Sequence, residues 1–163
     1  MKNYRVPIIL AVLLLSTAGC SSGKEEAGGK QVESKEVAVN GAEWKESEYF
    51  TSEGLSLIGE PQVLGFTHSD SEEVKIQPNK TQKHGWHFWG EEAKTAGELT
   101  VRATKQGSDE QLEIVKNSPL GGPNSGADNH APTNMTFPES GMWKLDAYLD
   151  DQLFGSVYVT VDE

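Results

Sequence analysis

The chain has 163 residues, the length of one domain or of one domain with extensions. Its 14 Lys and Arg against 25 Asp and Glu give a net charge of −11, which argues against binding nucleic acid or an anionic surface through charge. The single cysteine excludes an intramolecular disulfide and a cysteine-rich metal module.

The N-terminal residues have the order of a secretory signal peptide. Lys2 and Arg5 form a short positive region, and residues 7–15 (PIILAVLLL) form an apolar run. This run is too short to span a bilayer as a permanent helix. The pattern therefore predicts a segment that directs export and is then removed.

The end of this segment resembles a bacterial lipobox, with small residues at 17–19 (TAG) directly before Cys20. In that class of signals a peptidase cuts before the cysteine, and the cysteine sulfur carries diacylglycerol. The resemblance implies that residues 1–19 are a lipoprotein signal peptide and that Cys20 is the lipid attachment site. The alternative is an ordinary signal peptide in which this cysteine is incidental.

Residues 20–43 are rich in Ser, Gly, Glu and Lys and contain no aromatic residue. Such a stretch cannot bury enough apolar surface to offset its ordering entropy, so we expect a flexible tether. Removal of residues 1–19 would leave 144 residues with a net charge of −13. A lipid anchor, rather than electrostatic attraction, would then hold the protein at the extracytoplasmic face of the cell membrane.

From Trp44 onward the sequence alternates apolar and polar residues in short runs between turn residues. This pattern predicts an all-β domain over residues 44–163, an immunoglobulin-like antiparallel β-sandwich, with a small β-barrel as the alternative. The clearest pair of strands is a C-terminal hairpin, and a loop rich in Gly, Pro and Asn is expected at 116–134. The predicted strands are Leu55–Ile58, Val63–Thr67, Glu73–Gln77, Gly85–Trp89, Glu98–Thr104, Gln111–Val115, Gly141–Leu149 and Leu153–Val161.

Two segments resemble a known family: residues 85–90 (GWHFWG) and residues 121–161. The second contains GG at 121–122, HAPTNM at 130–135 and PESGMWKL at 138–145. Together they are similar to an uncharacterised domain-of-unknown-function family of small lipoproteins from spore-forming Gram-positive bacteria. The resemblance implies an immunoglobulin-like domain and an envelope location, and it brings no known activity, cofactor or catalytic residue.

Four residues are candidates for a contact surface: His87, Trp89, Asp128 and His130. On a strand, Trp86 and Phe88 would face the core, so His87 and Trp89 would face the other way, either half exposed or covered by the 116–134 loop. Asp128 and His130 lie within that loop. We expect the histidines to lie on the surface.

No metal or cofactor site is predicted. His84 and His87 are three residues apart, which places them on opposite faces of a strand rather than together. Asp128 and its neighbours lack the alternating carboxylates of a calcium loop. There is no G-x-S-x-G motif and no Cys–His pair, so we expect a protein that is not an enzyme.

The most economical function is therefore a lipid-anchored, non-enzymatic binding or structural module. Its partners would be the membrane, through the anchor, and an envelope or extracellular protein, with no nucleic acid. The alternative is a lipoprotein that senses a ligand or a divalent cation, since the chain is acidic and has four histidines.

Overall fold

The computed structural model describes residues 44–68 and 75–163. The predicted signal peptide (1–19), Cys20 and the tether (20–43) lie outside the described residues. The described part forms nine strands and one short helix: β1 (Glu48–Ser52), β2 (Leu55–Glu60), β3 (Leu64–Thr67), β4 (Gln82–Phe88), α1 (Glu91–Thr95), β5 (Glu98–Lys105), β6 (Gln111–Pro119), β7 (Asn129–Met135), β8 (Gly141–Leu149) and β9 (Gln152–Val161). This part contains no helix of the length and apolarity needed to cross a membrane.

The strands form two antiparallel sheets. One has five strands in the order β1-β2-β3-β4-β7, and the other has four in the order β6-β5-β8-β9. Both sheets contribute to one apolar core, in which Phe66, Trp86 and Phe88 of the first sheet are among the largest fully buried side chains. The predicted all-β sandwich is confirmed, as is the core position of Trp86 and Phe88. The sheets stay open, so the small barrel does not form; the immunoglobulin-like assignment stays a prediction.

The C-terminal hairpin forms as its alternation predicts. Trp143 and Leu145 of β8 pair with Val159 and Val157 of β9, and all four are buried against the first sheet. Its turn is made by residues 150–151, two aspartates with positive φ of 46° and 66°. This is the conformation that tight hairpins need, although it usually has glycine at the second position.

The predicted strand Glu73–Gln77 is wrong over Lys75–Gln77, and residues 73–74 lie outside the described part. The side-chain amide of Gln82 donates to the Lys75 carbonyl and accepts from the Gln77 amide, each over 2.9 Å. Ile76 still enters the core at 1% exposure, and its carbonyl accepts a hydrogen bond from Asp162. The segment thus buries its apolar residue and satisfies backbone groups without joining a sheet.

The prediction of one long loop at 116–134 is also wrong. β6 continues to Pro119 and β7 begins at Asn129, which leaves a connection over residues 120–128, called here the 120–128 loop. In β7 the inward positions alternate with exposed ones, but proline and asparagine obscure this pattern in the sequence. Pro132 is tolerated because β7 is the edge strand of its sheet.

Candidate contact site

The four candidate residues lie close together on the outer face of the five-stranded sheet or at its margin. His87 is on β4, and its partner across the ladder is His130 on β7. Trp89 follows the end of β4, with its ring 6.4 Å from that of His87. Asp128 is the last residue of the 120–128 loop. The structure therefore joins residues that are about 40 positions apart in the sequence.

The loop covers this face instead of leaving it open. Trp89 is only 7% exposed, and its indole N–H donates to the carbonyl of Gly126 over 2.7 Å. Trp89 also packs with Leu57 and Ala127 in a small apolar cluster that is separate from the main core. Of the two arrangements open for His87 and Trp89, the structure has the covered one. The space beneath the loop is filled by side chains.

Polar contacts fix the second half of the loop. An oxygen of Asp128 accepts from the amide of Gly90 over 2.8 Å, and its other oxygen lies 3.7 Å from the Lys94 ammonium. Three residues earlier in the loop, the Ser52 hydroxyl donates to the Ser125 carbonyl over 2.7 Å. Asp128 is therefore a structural link between the loop and the start of α1.

Sequence reasoning missed two asparagines that hold the loop. Asn129 is 5% exposed; its side chain donates to the Ala93 carbonyl and accepts from the Gly122 amide. Asn124 places its Oδ1 atom 3.2 Å from Nε2 of His87. The sequence places both asparagines close to Asp128 and His130, which could have suggested a role at this site. It does not reveal which groups their side chains bind.

The prediction of surface histidines is wrong for most of them. His68, His84 and His87 are 7%, 5% and 3% exposed, and His130 is half-buried. His84 and His87 do lie on opposite faces, as strand alternation predicts. His84 faces the core, where its ring stacks on Phe66 with centroids 4.5 Å apart.

Burial changes the titration of two of these rings. Desolvation lowers the pKa of His84 below 6.5, partly offset by its Nδ1 hydrogen bond to the Thr67 carbonyl. Desolvation also lowers the pKa of His87, against a raising effect of the Asn124 hydrogen bond and with a further lowering by the charge of His130. Both rings are therefore held mainly neutral in the folded protein at pH 7.

The described residues contain no group of three or more His, Cys, Asp or Glu side chains arranged to hold a metal ion. Two open grooves, of about 300 and 390 Å³, lie away from the four candidate residues. The first is lined by Glu92, Thr95, Ala96, Leu149, Asp150, Gln152 and Phe154, and the second by Lys105, Ser108, Glu110, Leu112, Pro138, Glu139 and Trp143.

Comparison with known proteins gives a family and a similar fold. Residues 34–159 match the model of the family described as "Domain of unknown function (DUF4871)". A crystal structure described as a "Putative Lipoprotein from Bacillus anthracis" is similar at a TM-score of 0.58 and 22% identity, covering 73% of this chain and 86% of that chain. At this identity the likeness concerns the fold. No curated protein gives a significant match to the sequence.

Proposed function

We propose, from the premise that the chain belongs to the DUF4871 family of domains of unknown function, that it is a lipid-anchored envelope protein that binds another protein. Its β-sandwich would stand at the extracytoplasmic face of the cell membrane on the tether of residues 20–43. The partner would be an envelope or extracellular protein, and no chemistry would be performed on it.

The lipid anchor is supported by the order of residues at the N-terminus. A positive region, an apolar run and three small residues precede Cys20, the only cysteine of the chain. The similar structure from Bacillus anthracis is itself described as that of a "Putative Lipoprotein". An unmodified Cys20 would be a free thiol in an oxidising compartment, which proteins generally avoid.

Membrane fractionation of wild type and Cys20→Ser tests the anchor. The variant is expected to lose lipidation and to leave the membrane at both low and high salt, because the acidic domain has no basic patch to replace two acyl chains. Ser22→Ala is the matched control and should fractionate as wild type. A Cys20→Ser protein that has lost its signal and still stays on the membrane as firmly as wild type would show that the assignment is wrong.

The binding role is carried by one observation: the 120–128 loop is fixed on the sheet and closes over a filled interior. Gly121, Pro123 and Asn124 are exposed on it, while Trp89 and Ala127 fill the space below. A small molecule needs a concave pocket, whereas an ordered, filled surface suits contact with another protein. This supports protein binding over small-molecule sensing.

A non-enzymatic role is supported by the partners of the histidines. His84 and His130 bond through Nδ1 to backbone carbonyls, and His87 bonds to the amide side chain of Asn124. None of these three hydrogen bonds, in the part of the chain that the structure describes, orients a serine hydroxyl toward a ring nitrogen of His84, His87 or His130. A nucleophilic mechanism needs such a pair within hydrogen-bond reach.

Site-specific photo-crosslinking in intact cells tests the contact surface. A benzophenone amino acid at Pro123 is expected to capture one reproducible partner, because this residue is exposed on the loop. The control position is Glu110, an exposed residue before β6, at the opposite end of that strand. Recovery of the monomer alone, or the same products from both positions, would contradict the proposal.

A further inference from the structure

Two imidazole rings lie side by side beneath the 120–128 loop. His87 and His130 are paired across β4 and β7, with ring centroids 6.0 Å apart and ring planes at 29°. His87 is 3% exposed, and His130 is half-buried. A charge on one ring therefore acts on the other through a medium that contains little water to screen it.

Each ring bonds to the loop that covers it. Nε2 of His87 lies 3.2 Å from Oδ1 of Asn124, and because that oxygen only accepts, Nε2 carries the proton. Nδ1 of His130 donates to the Gly122 carbonyl over 2.7 Å. The second nitrogen of His87, Nδ1, is buried and makes no hydrogen bond of normal length and angle in the described residues, and the Gly85 backbone has only the smallest effect on the pKa of this ring. A second proton on His87 would have to be added at this buried atom.

We propose that His87 and His130 form a proton-sensitive latch, the histidine latch, for the 120–128 loop. While His87 is neutral, the loop stays on the sheet; a proton added to this buried ring, 6.0 Å from the ring of His130, favours release of the loop, because release brings the charge into contact with water. Release gives both rings access to water and separates neither strand from its sheet, since the pairing of β4 with β7 is made by the backbone.

The direction of the pH effect follows from the burial of His87. Its pKa is lowered below 6.5 while the loop is closed, because desolvation and the charge of His130 together outweigh the raising effects of the Asn124 side chain and the Gly85 backbone. The released state, in contact with water, takes up protons more readily. Closure is therefore fully favoured above about pH 6.5 and weakens as the pH falls from there through the lowered value, by up to about tenfold per pH unit for each proton taken up.

Other charged groups also face the loop and must be controlled for. Glu53, in the turn between β1 and β2, lies beside Gly126. Asp128 lies 3.7 Å from the ammonium of Lys94, which also pairs with Glu91 over 2.6 Å. Glu53→Gln removes the carboxylate beside the loop, and Asp128→Asn removes the one at its last residue while keeping an oxygen that can accept from Gly90; neither changes a ring of the latch.

The regulatory consequence rests on the proposed function, because the loop matters for a partner only if it is the contact surface. The latch itself can be tested without any partner. A closed loop that opens on acidification would then support the latch even if crosslinking from Pro123 contradicts the binding role, and the reverse outcome would leave the binding role standing alone.

The test is amide hydrogen exchange by mass spectrometry on the intact chain in detergent at pH 7, 6 and 5. Protection of the 120–128 amides, expressed relative to the intrinsic exchange rate at each pH, is expected to fall at least tenfold between pH 7 and pH 5. Protection of β5 and β8 should change much less. Equal loss in the core strands would indicate general unfolding and would overturn the proposal.

The decisive variant is the double replacement His87→Gln with His130→Asn, whose amides can donate from about the same positions as the ring nitrogens but do not titrate. Its loop should stay protected at pH 5, whereas Glu53→Gln and Asp128→Asn should still open. Opening of the double variant on acidification would overturn the latch. If that variant is already open at pH 7, hydrogen exchange at the C2 atoms of the wild-type histidines decides the matter: the loop must open with the same pH midpoint as the protonation of His87, and a different midpoint would overturn the latch.

Discussion

His84 and His87 are three residues apart and meet two different environments. Alternation along β4 predicts that they face opposite ways, and they do. Whether each face is covered could not be predicted, because the cover of His87 comes from the 120–128 loop, more than 30 residues later. Single-residue burial thus depends on long-range packing that periodicity does not contain.

His84 is expected to make the stability of the whole domain depend on pH. Burial lowers its pKa below 6.5, so the stabilising neutral form is fully populated above that pH and its contribution is lost as the pH falls through the folded-state value. Replacement by phenylalanine, which retains stacking on Phe66, should reduce the slope of the unfolding free energy between pH 7 and pH 5. The reduction should be at most about 1.4 kcal/mol per pH unit.

Urea unfolding of wild type and His84→Phe at pH 5, 6 and 7 checks this expectation. Lys83→Met is the control, because Lys83 neighbours His84 on an exposed side of the strand and does not titrate in this range. Parallel pH profiles for wild type and His84→Phe would show that the ring does not contribute.

The turn at Asp150 and Asp151 offers a stabilising substitution. Both residues have positive φ, but of their two carboxylates only that of Asp150 accepts hydrogen bonds within residues 44–68 and 75–163, from the amides of Gly97 and Glu98 over 3.0–3.1 Å. Asp151→Gly should stabilise the protein by about 0.5–1 kcal/mol, since glycine has no Cβ strain there. Asp150→Gly loses its hydrogen bonds and should give no such gain. Chemical denaturation that ranks the two variants the other way would contradict this account.

Among the elements, the connections depart from prediction more than the strands do. β8 has the predicted bounds, and β9 begins one residue earlier than expected. β7 was hidden by Pro132 and its asparagines, since the only other signal is the inward alternation of small and apolar residues. Edge strands tolerate such residues because one side of the ladder is unpaired, so propensity is least informative where β7 lies.

Adding a methyl group at Gly121 should push the 120–128 loop away from β7. A Cβ atom at Gly121 would lie 2.7 Å from Cε1 of His130, closer than side chains pack, although the backbone there suits any residue. Gly121→Ala is expected to cost about 1–3 kcal/mol and to raise hydrogen exchange in the loop. Gly97→Ala is the matched control, because its Cβ would make an ordinary contact of 3.5 Å with Asp150.

These two variants can be compared by urea unfolding together with hydrogen exchange of residues 120–128. Equal stability and equal loop protection would mean that the His130 ring moves aside without cost, and the close packing of this loop would then be unimportant.

For the whole molecule, the sequence predicts the layered β architecture because alternation and turn spacing are repeated over about 110 residues. The pairing order of the strands could not be read from it, since β7 joins the first sheet after β5 and β6 have entered the second. The family match begins at residue 34, inside the predicted tether 20–43, so the tether boundary stays a prediction.

The net charge of −11 should make the folded state more stable in salt. Raising NaCl from about 10 mM to about 300 mM screens repulsion between carboxylates and is expected to raise Tm by about 2–5 °C. CaCl₂ or ZnCl₂ at matched ionic strength separates screening from specific binding. A further rise with either ion would favour the cation-sensing alternative, and a fall of Tm in NaCl would contradict the repulsion argument.

The strand order also sets when the fold can be completed as the chain is synthesised from its N-terminus. β5 lies between β6 and β8, and β4 lies between β3 and β7, so each has one neighbour close to it in the sequence and another that is made about 40 residues later. A nascent chain that ends before Asn129 leaves both strands with a bare hydrogen-bonding edge. Stable folding must therefore wait until β7 and β8, which begin at Asn129 and Gly141, have been synthesised.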